Sequence, residues 1–176
     1  MGRAEVVVVE TRRLVLRRPG AADADFFLEL LNDPGFLEHI GDRGIRSLDA
    51  ARGYVETAVL SSYQRHGYGM CVVEVKASGA RAGLCGLVRR DWLDHTDLGY
   101  AFLPAFRGLG YAEESAAAVL ADANARLGIG RLLAIVSPSN PRSISLLAKL
   151  GFASAGEVTA PGESKSLRLY ARDGAA

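Results

Sequence analysis

A short segment with two glycines has the composition of an anion site. The segment Arg107-Gly108-Leu109-Gly110-Tyr111-Ala112 lies between a predicted strand and a long predicted helix. Glycine lets a backbone approach a ligand closely, and the first N–H groups of a helix lack internal acceptors and carry partial positive charge. The junction therefore suits a pyrophosphate, with Arg107 adding charge at the rim and Glu113 and Glu114 pointing away. A tight turn with a surface arginine is the alternative interpretation.

A second polar segment follows a continuous apolar run, residues 132–136. Asn140 is a favourable N-cap and Pro141 suits the first helical position. Ser143 then lies one turn inside the helix, on the side of the expected ligand. Asn140 is expected to cap this helix and also to contact that ligand.

Hydrophobic periodicity predicts the elements that must position these segments. The predicted order is one strand, two helices, three strands, a long helix, a buried strand, a helix and one or two final strands. We expect a loop over residues 35–47, before Ser47 caps the second helix. We interpret residues 1–176 as one mixed α/β domain. The predicted strands cover 11–18, 68–76, 83–89, 96–103, 131–136 and 166–170, and the longest helix covers 108–127.

The charge balance excludes several classes of protein. The formal net charge is +1, from 21 basic and 20 acidic residues, whereas nucleic-acid and anionic-membrane binders need a basic excess. Two cysteines without a Cys-x-x-Cys pair cannot form a four-ligand zinc site, and the three histidines share no ligand spacing. We therefore expect no metal, no nucleic acid, no membrane and a cytoplasmic location.

These motifs together resemble the GNAT acetyltransferase superfamily. Arg107, Gly110 and Ala112 match its Arg/Gln-x-x-Gly-x-Gly/Ala signature, and Asn140 with Ser143 follows at a similar distance. The opening Thr-Arg-Arg-Leu-Val-Leu-Arg-Arg and the run Leu-Gly-Tyr-Ala-Phe-Leu-Pro at 98–104 are similar to the branch of ribosomal-protein N-terminal (alanine/serine) acetyltransferases. The resemblance implies a GNAT fold: a mixed, mostly antiparallel sheet of six to seven strands, splayed between strands 4 and 5 and flanked by about four helices.

The resemblance also implies a cosubstrate, acetyl-CoA, held between the strands at 98–103 and 132–136. Backbone groups of the first strand would pair with the pantetheine arm, and N–H groups of residues 108–112 would hold the pyrophosphate. The expected binding residues are Phe102, Leu103, Arg107, Gly108, Leu109, Gly110, Tyr111, Ala112, Asn140 and Ser143.

By the same resemblance, a neutral primary amine attacks the thioester directly while both substrates are bound. The amine belongs to a protein N-terminus or a small molecule. Asp97 is the candidate base, and a solvated carboxylate at the strand start is an equal alternative. Ser143 is the candidate proton donor to the thiolate, because Leu147 stands where many family members have tyrosine. The acceptor pocket is expected from the loops around residues 36–44 and 161–165.

Two other functions remain open from the sequence. A catalytically silent acyl-CoA-binding or regulatory module is compatible with Leu147 and with the uncertain base. A module that binds ATP or NAD at the turn of Gly108 and Gly110 has little in its favour. A monomer or a homodimer is expected.

Overall fold

A computed structural model describes residues 6–174, so the ends of the predicted domain, 1–5 and 175–176, lie outside the described residues. Strands alternate with helices in an α/β order. The strands are β1 (Val7–Glu10), β2 (Leu14–Arg17), β3 (Met70–Val75), β4 (Arg81–Val88), β5 (Asp97–Phe102), β6 (Arg131–Val136), β7 (Ala153–Thr159) and β8 (Ser166–Asp173). The helices are α1 (Ala24–Leu31), α2 (Pro34–His39), α3 (Leu48–Tyr54), α4 (Ser61–His66), α5 (Tyr111–Ala125) and α6 (Pro141–Lys149), with a π-helical stretch, Val55–Leu60, joining α3 to α4.

All these strands form one sheet in the order β1-β2-β3-β4-β5-β6-β8-β7. Every neighbouring pair is antiparallel except β5 and β6. Strand β5 pairs with β4 along its whole length, from Asp97 to Phe102. It pairs with the parallel β6 at one position, where Asp97 is opposite Leu133. The sheet therefore opens between β5 and β6; we call this opening the gap, with its closed end at Asp97 and its open end at Phe102.

Two apolar layers hold the sheet. On one face, α5 and α6 bury Ala116, Val119, Leu120, Ala123 and Leu147 against alternate residues of the central strands. On the other face, α1, α2, α3 and the π-helical stretch bury Phe27, Leu30, Phe36, Ala51 and Val55. Because side chains alternate between the faces of a strand, Leu98 and Phe102 of β5 join the first layer, and Leu103 joins the second.

The fold class predicted from the sequence is confirmed, with differences in detail. The sheet has eight strands rather than six to seven, because β1 and β7 are edge strands with weak sequence signals. Strand β7 is exposed on both faces, so it has no apolar alternation to detect.

The loop predicted over residues 35–47 is wrong in its first part, because α2 begins at Pro34. The Asp33 side chain accepts a hydrogen bond from the Phe36 N–H, 3.1 Å away. Asp33 is thus the N-cap of α2 and Pro34 is its first helical residue. The pair does not only mark the end of α1. The longest helix begins at Tyr111 rather than Gly108.

Candidate active site

Alternate residues of β5 turn their backbone groups into the gap. The Leu103 N–H donates to Ala82 of β4, whereas Thr96 accepts from the Leu133 N–H of β6. Since backbone direction alternates along a strand, the N–H and C=O of Tyr100 and the N–H of Phe102 face the gap. Of the two residues expected to pair with the pantetheine arm, Phe102 thus turns its N–H to the gap, whereas the Leu103 N–H is already bonded to β4.

The start of α5 keeps its N–H groups free. Gly108 and Gly110 have positive φ angles of 73° and 81°, a backbone region that disfavours other residues. The Glu114 N–H makes the first helical bond, to the Gly110 carbonyl. Between residues 6 and 174, no acceptor is present for the N–H groups of residues 108–113. This loop therefore presents a row of donors at the positive end of a long helix.

Arg13 adds a positive charge beside this loop, which sequence reasoning missed. Its Nε is 2.6 Å from Glu114 Oε2, and its Nη1 donates to the Leu109 carbonyl at 2.9 Å. Its guanidinium also lies 4.7 Å from the centre of the Tyr111 ring. Glu114 faces this arginine and away from the loop N–H groups, as predicted. No local motif could reveal a contact that the sheet makes between residues about 100 positions apart.

Arg107 does not point its charge at the α5 N-terminus. Its guanidinium forms an ion pair with Asp33, the N-cap of α2. Its Nε donates to the Phe102 carbonyl at 2.8 Å. The predicted rim position is therefore wrong for this side chain, because a buried carboxylate offers a stronger partner than solvent. Arg107 instead ties the β5–α5 loop to α2.

The N-terminus of α6 is built as the sequence predicts. Asn140 caps the helix, with its Oδ1 accepting from the Ser143 N–H at 3.2 Å, and Pro141 is the first helical residue. The Ser143 Oγ lies 2.7 Å from the hydroxyl of Tyr100. The Tyr100 side chain, for which the sequence predicted no role, thus connects β5 to the helix that follows β6. Leu147, the position without a tyrosine, is 1% exposed and belongs to the core.

Asp97 lies at the closed end of the gap. It is 1% exposed, so the alternative of a solvated carboxylate is wrong. Arg90 Nε is 3.1 Å from its Oδ1, and the Arg90 guanidinium also lies over the Trp92 ring. Burial raises the pKa of Asp97 to about 6, against the lowering effect of Arg90. The group is therefore half-ionised near pH 6 and mostly ionised at neutral pH.

Helix α2 touches both loops that border the gap. Its N-cap, Asp33, is held by Arg107 of the β5–α5 loop. At its other end, His39 Nδ1 lies 3.5 Å from the Ser139 hydroxyl in the β6–α6 loop. The segment after α2 therefore begins beside the open end of the gap, where part of the acceptor pocket was expected. Glu163, in the other expected loop, is exposed.

Two features are absent from residues 6–174, a metal-binding cluster and a membrane-spanning helix. No group of three or more His, Cys, Asp or Glu residues is arranged to hold a metal ion. No helix in this part of the chain combines the length and apolar character needed to cross a membrane.

Comparison with known proteins shows which proteins this chain resembles. A family profile described as "Acetyltransferase (GNAT) domain" matches residues 13–153. The uncharacterized protein YkkB of Bacillus subtilis is 30% identical over 132 residues, covering 73% of this chain and 74% of YkkB. The uncharacterized N-acetyltransferase YoaA of Bacillus subtilis is 24% identical over 147 residues, covering 82% of each. A RimL ribosomal L7/L12 alpha-N-protein acetyltransferase in complex with coenzyme A has a TM-score of 0.82 at 19% identity, covering 96% of this chain and 98% of RimL.

Proposed function

The chain belongs to the GNAT acetyltransferase family, and on that premise we propose that it transfers the acetyl group of acetyl-CoA to a primary amine while both substrates are bound. Enzymes of this family are acyltransferases, and acetyl-CoA is their acyl donor. The acyl donor supplies an activated carbonyl carbon and a sulfur leaving group. This chain's residues must hold the donor, admit the amine and manage two protons.

The gap between β5 and β6 is the observation that carries the proposal. Beyond the pair of Asp97 and Leu133, the two parallel strands have no further partner positions. Tyr100 directs its backbone N–H and C=O into this opening and Phe102 directs its N–H there, and backbone groups inside a protein need partners. The amide groups of a pantetheine arm fit that need.

The start of α5 suits the diphosphate of the same ligand. Its free N–H groups and the glycines at 108 and 110 form an anion site. We assign the diphosphate to backbone groups of residues 108–112, and the opposite wall to Asn140 and Ser143. Arg107 contributes by fixing the loop against α2, rather than through a phosphate contact.

For catalysis we assign the amine proton to Asp97 and the proton on the leaving sulfur to Ser143. A base with a pKa of about 6 is ionised at neutral pH and still able to accept a proton. Because Asp97 is buried, it must act through a water molecule. The attack forms a C–N bond and breaks the C–S bond, and most of the rate advantage comes from holding both reactants together.

The acceptor is a protein N-terminus or a small-molecule amine. RimL, whose name describes an alpha-N-protein acetyltransferase, shares the fold at 19% identity, which does not transfer its substrate. The loops around residues 36–44 and 161–165 border the place where such an amine would enter. Their exposed polar residues, including Glu163 and Lys165, leave both classes of amine open.

A thiol-release assay tests this function. The protein is incubated with acetyl-CoA and a panel of peptides with free N-termini, polyamines and amino acids, and free CoA is measured. We expect release that depends on one class of amine, with a matching mass increase of one acetyl group on that amine. Tight CoA binding without release for any amine would contradict the proposal and favour a silent binding module.

A further inference from the structure

The Ser143 hydroxyl has one partner between residues 6 and 174, the phenol of Tyr100. We infer that Tyr100 is a positioning residue that aims the Ser143 hydroxyl into the gap during acyl transfer. The inference rests on the proposed function, in which Ser143 protonates the leaving sulfur. It concerns a residue that does not itself have to contact the donor.

The position of Tyr100 on β5 makes this contact possible. Its backbone groups point into the gap, whereas its ring lies on the face covered by α5 and α6, beside Leu98 and Phe102. From there the ring extends to the first turn of α6, which directly follows β6. Tyr100 therefore spans the two sides of the gap beneath its opening and sets the distance between β5 and Ser143.

Two short contacts connect these residues. The Tyr100 phenol oxygen lies 2.7 Å from the Ser143 Oγ, a bond that either hydroxyl can donate, and 3.3 Å from the Ser143 carbonyl oxygen, which can only accept. The phenol has a single hydrogen, and in the arrangement that we assign it is donated across the shorter distance, to Oγ. Burial raises the pKa of Tyr100 to about 12, so the phenol keeps this hydrogen at neutral pH. The Ser143 hydrogen is then left for an acceptor inside the gap.

This arrangement defines where each proton goes. As the amine nitrogen bonds to the carbonyl carbon, the electron pair of the C–S bond moves to sulfur. The sulfur takes the Ser143 hydrogen, Ser143 takes the phenol hydrogen, and Tyr100 regains one from solvent water. The amine proton leaves separately, through water, to Asp97. A fixed donor aimed at developing charge is worth more than one that must reorient.

The test compares Tyr100→Phe, Ser143→Ala and the double variant in the thiol-release assay with the amine that the panel identifies. We expect kcat to fall about tenfold in Tyr100→Phe, as for one lost hydrogen bond, and about 100-fold in Ser143→Ala. The CoA dissociation constant should stay within about twofold in Tyr100→Phe, which removes no group that is assigned to the donor. The double variant should be no slower than Ser143→Ala, because Tyr100 acts only through Ser143.

Tyr63→Phe is the matched control, since the Tyr63 hydroxyl donates to the Met70 carbonyl on β3, away from the gap. An unchanged kcat in Tyr100→Phe, or losses that multiply in the double variant, would overturn the inference and leave Tyr100 as packing. A wild-type protein that releases no thiol with any amine would instead refute the proposed function, and with it any catalytic role for the pair.

Discussion

The two ends of the gap hold their polar groups differently. At the closed end, Asp97 is buried and ion-paired with Arg90, and the adjoining strands are hydrogen-bonded. At the open end, Tyr100 and Ser143 are half-buried, and the N–H groups at the start of α5 have no protein acceptor. A polar group whose hydrogen bonds are all made within the protein holds neighbouring strands together. A polar group with an unused hydrogen or lone pair can bind a ligand. In the function that we propose, the open end binds and orients the acyl donor, and the closed end holds the buried Asp97 where the two strands separate.

Blocking the open end should have the largest effect. Gly110→Trp should weaken CoA binding by more than 100-fold, because a side chain there fills the diphosphate site and also strains a positive φ angle. Isothermal titration with CoA measures the loss. Gly79→Trp, at a comparable φ angle in the β3–β4 turn, is the control for strain. Equal CoA affinity in wild type and Gly110→Trp would place the diphosphate elsewhere.

Removing the Asp97 carboxylate at the closed end tests whether Asp97 acts as a base or only supports the structure. Asp97→Asn should lower kcat by about 100-fold, since no base remains. In the wild type, kcat/KM should rise with pH through about 6, as Asp97 ionises. The variant should lose that rise. A variant with the wild-type pH profile would show that Asp97 serves structure alone.

The same residue makes a prediction about stability. Folding raises the pKa of Asp97 to about 6, so the folded state binds this proton more tightly than the unfolded state. The stabilisation is complete below about pH 4, the ordinary range of an aspartate, and is lost as pH rises through about 6. We therefore subtract the free energy of unfolding of Asp97→Asn from that of the wild type. This difference should be smaller at pH 7 than at pH 4. Denaturant titrations at both values measure it, and a difference that grows with pH would contradict the raised pKa.

The charge beside the α5 loop should have an intermediate effect. Arg13→Ala removes the cation beside Glu114, which keeps its hydrogen bonds from the Thr11 hydroxyl and from the backbone N–H at position 13. The uncompensated carboxylate then lies near the diphosphate site, and we expect CoA binding about tenfold weaker. Adding Glu114→Gln should restore part of the affinity, because the repulsion of the diphosphate is removed. S-acetylpantetheine, which has no diphosphate, should bind both variants equally well. If CoA affinity stays equally low when Glu114→Gln is added to Arg13→Ala, Arg13 acts only by stabilising the fold.

The smallest effect concerns the cap of α6. Asn140→Ala should lower the free energy of unfolding by about 1 kcal/mol, because the Ser143 N–H loses its acceptor. CoA binding should also weaken if Asn140 has the second role. Ser47→Ala, which removes the cap of α3, is the matched control for helix stability. Equal CoA affinity in both variants would leave Asn140 as a cap only.

Sequence motifs predicted the local backbone structure on the expected cofactor side of the site, since each motif is a short continuous segment. Asn140, Pro141 and the glycines at 108 and 110 each have a local backbone role that residue type alone reveals. Residue type does not predict the direction in which a backbone N–H or C=O points, because that direction depends on strand register. That is why Phe102 and Leu103 were predicted together, although the Phe102 N–H faces the gap and the Leu103 N–H is bonded to β4.

Long-range pairs limited the prediction elsewhere. The partners of Arg107 and Arg13 lie 74 and 101 residues away, so no local pattern announced them. Only the sheet order and the packing of α2 bring these residues together. The Asp33–Pro34 signal for α2 was present in the sequence, but it also reads as the end of α1.

Amide hydrogen exchange by NMR, with and without CoA, tests the gap itself most directly. We predict that CoA slows exchange at Tyr100, at Phe102 and along residues 108–112. Leu103, whose N–H is already bonded to Ala82, should be unchanged. A protein that binds CoA without added protection at Tyr100 and Phe102 would contradict the account.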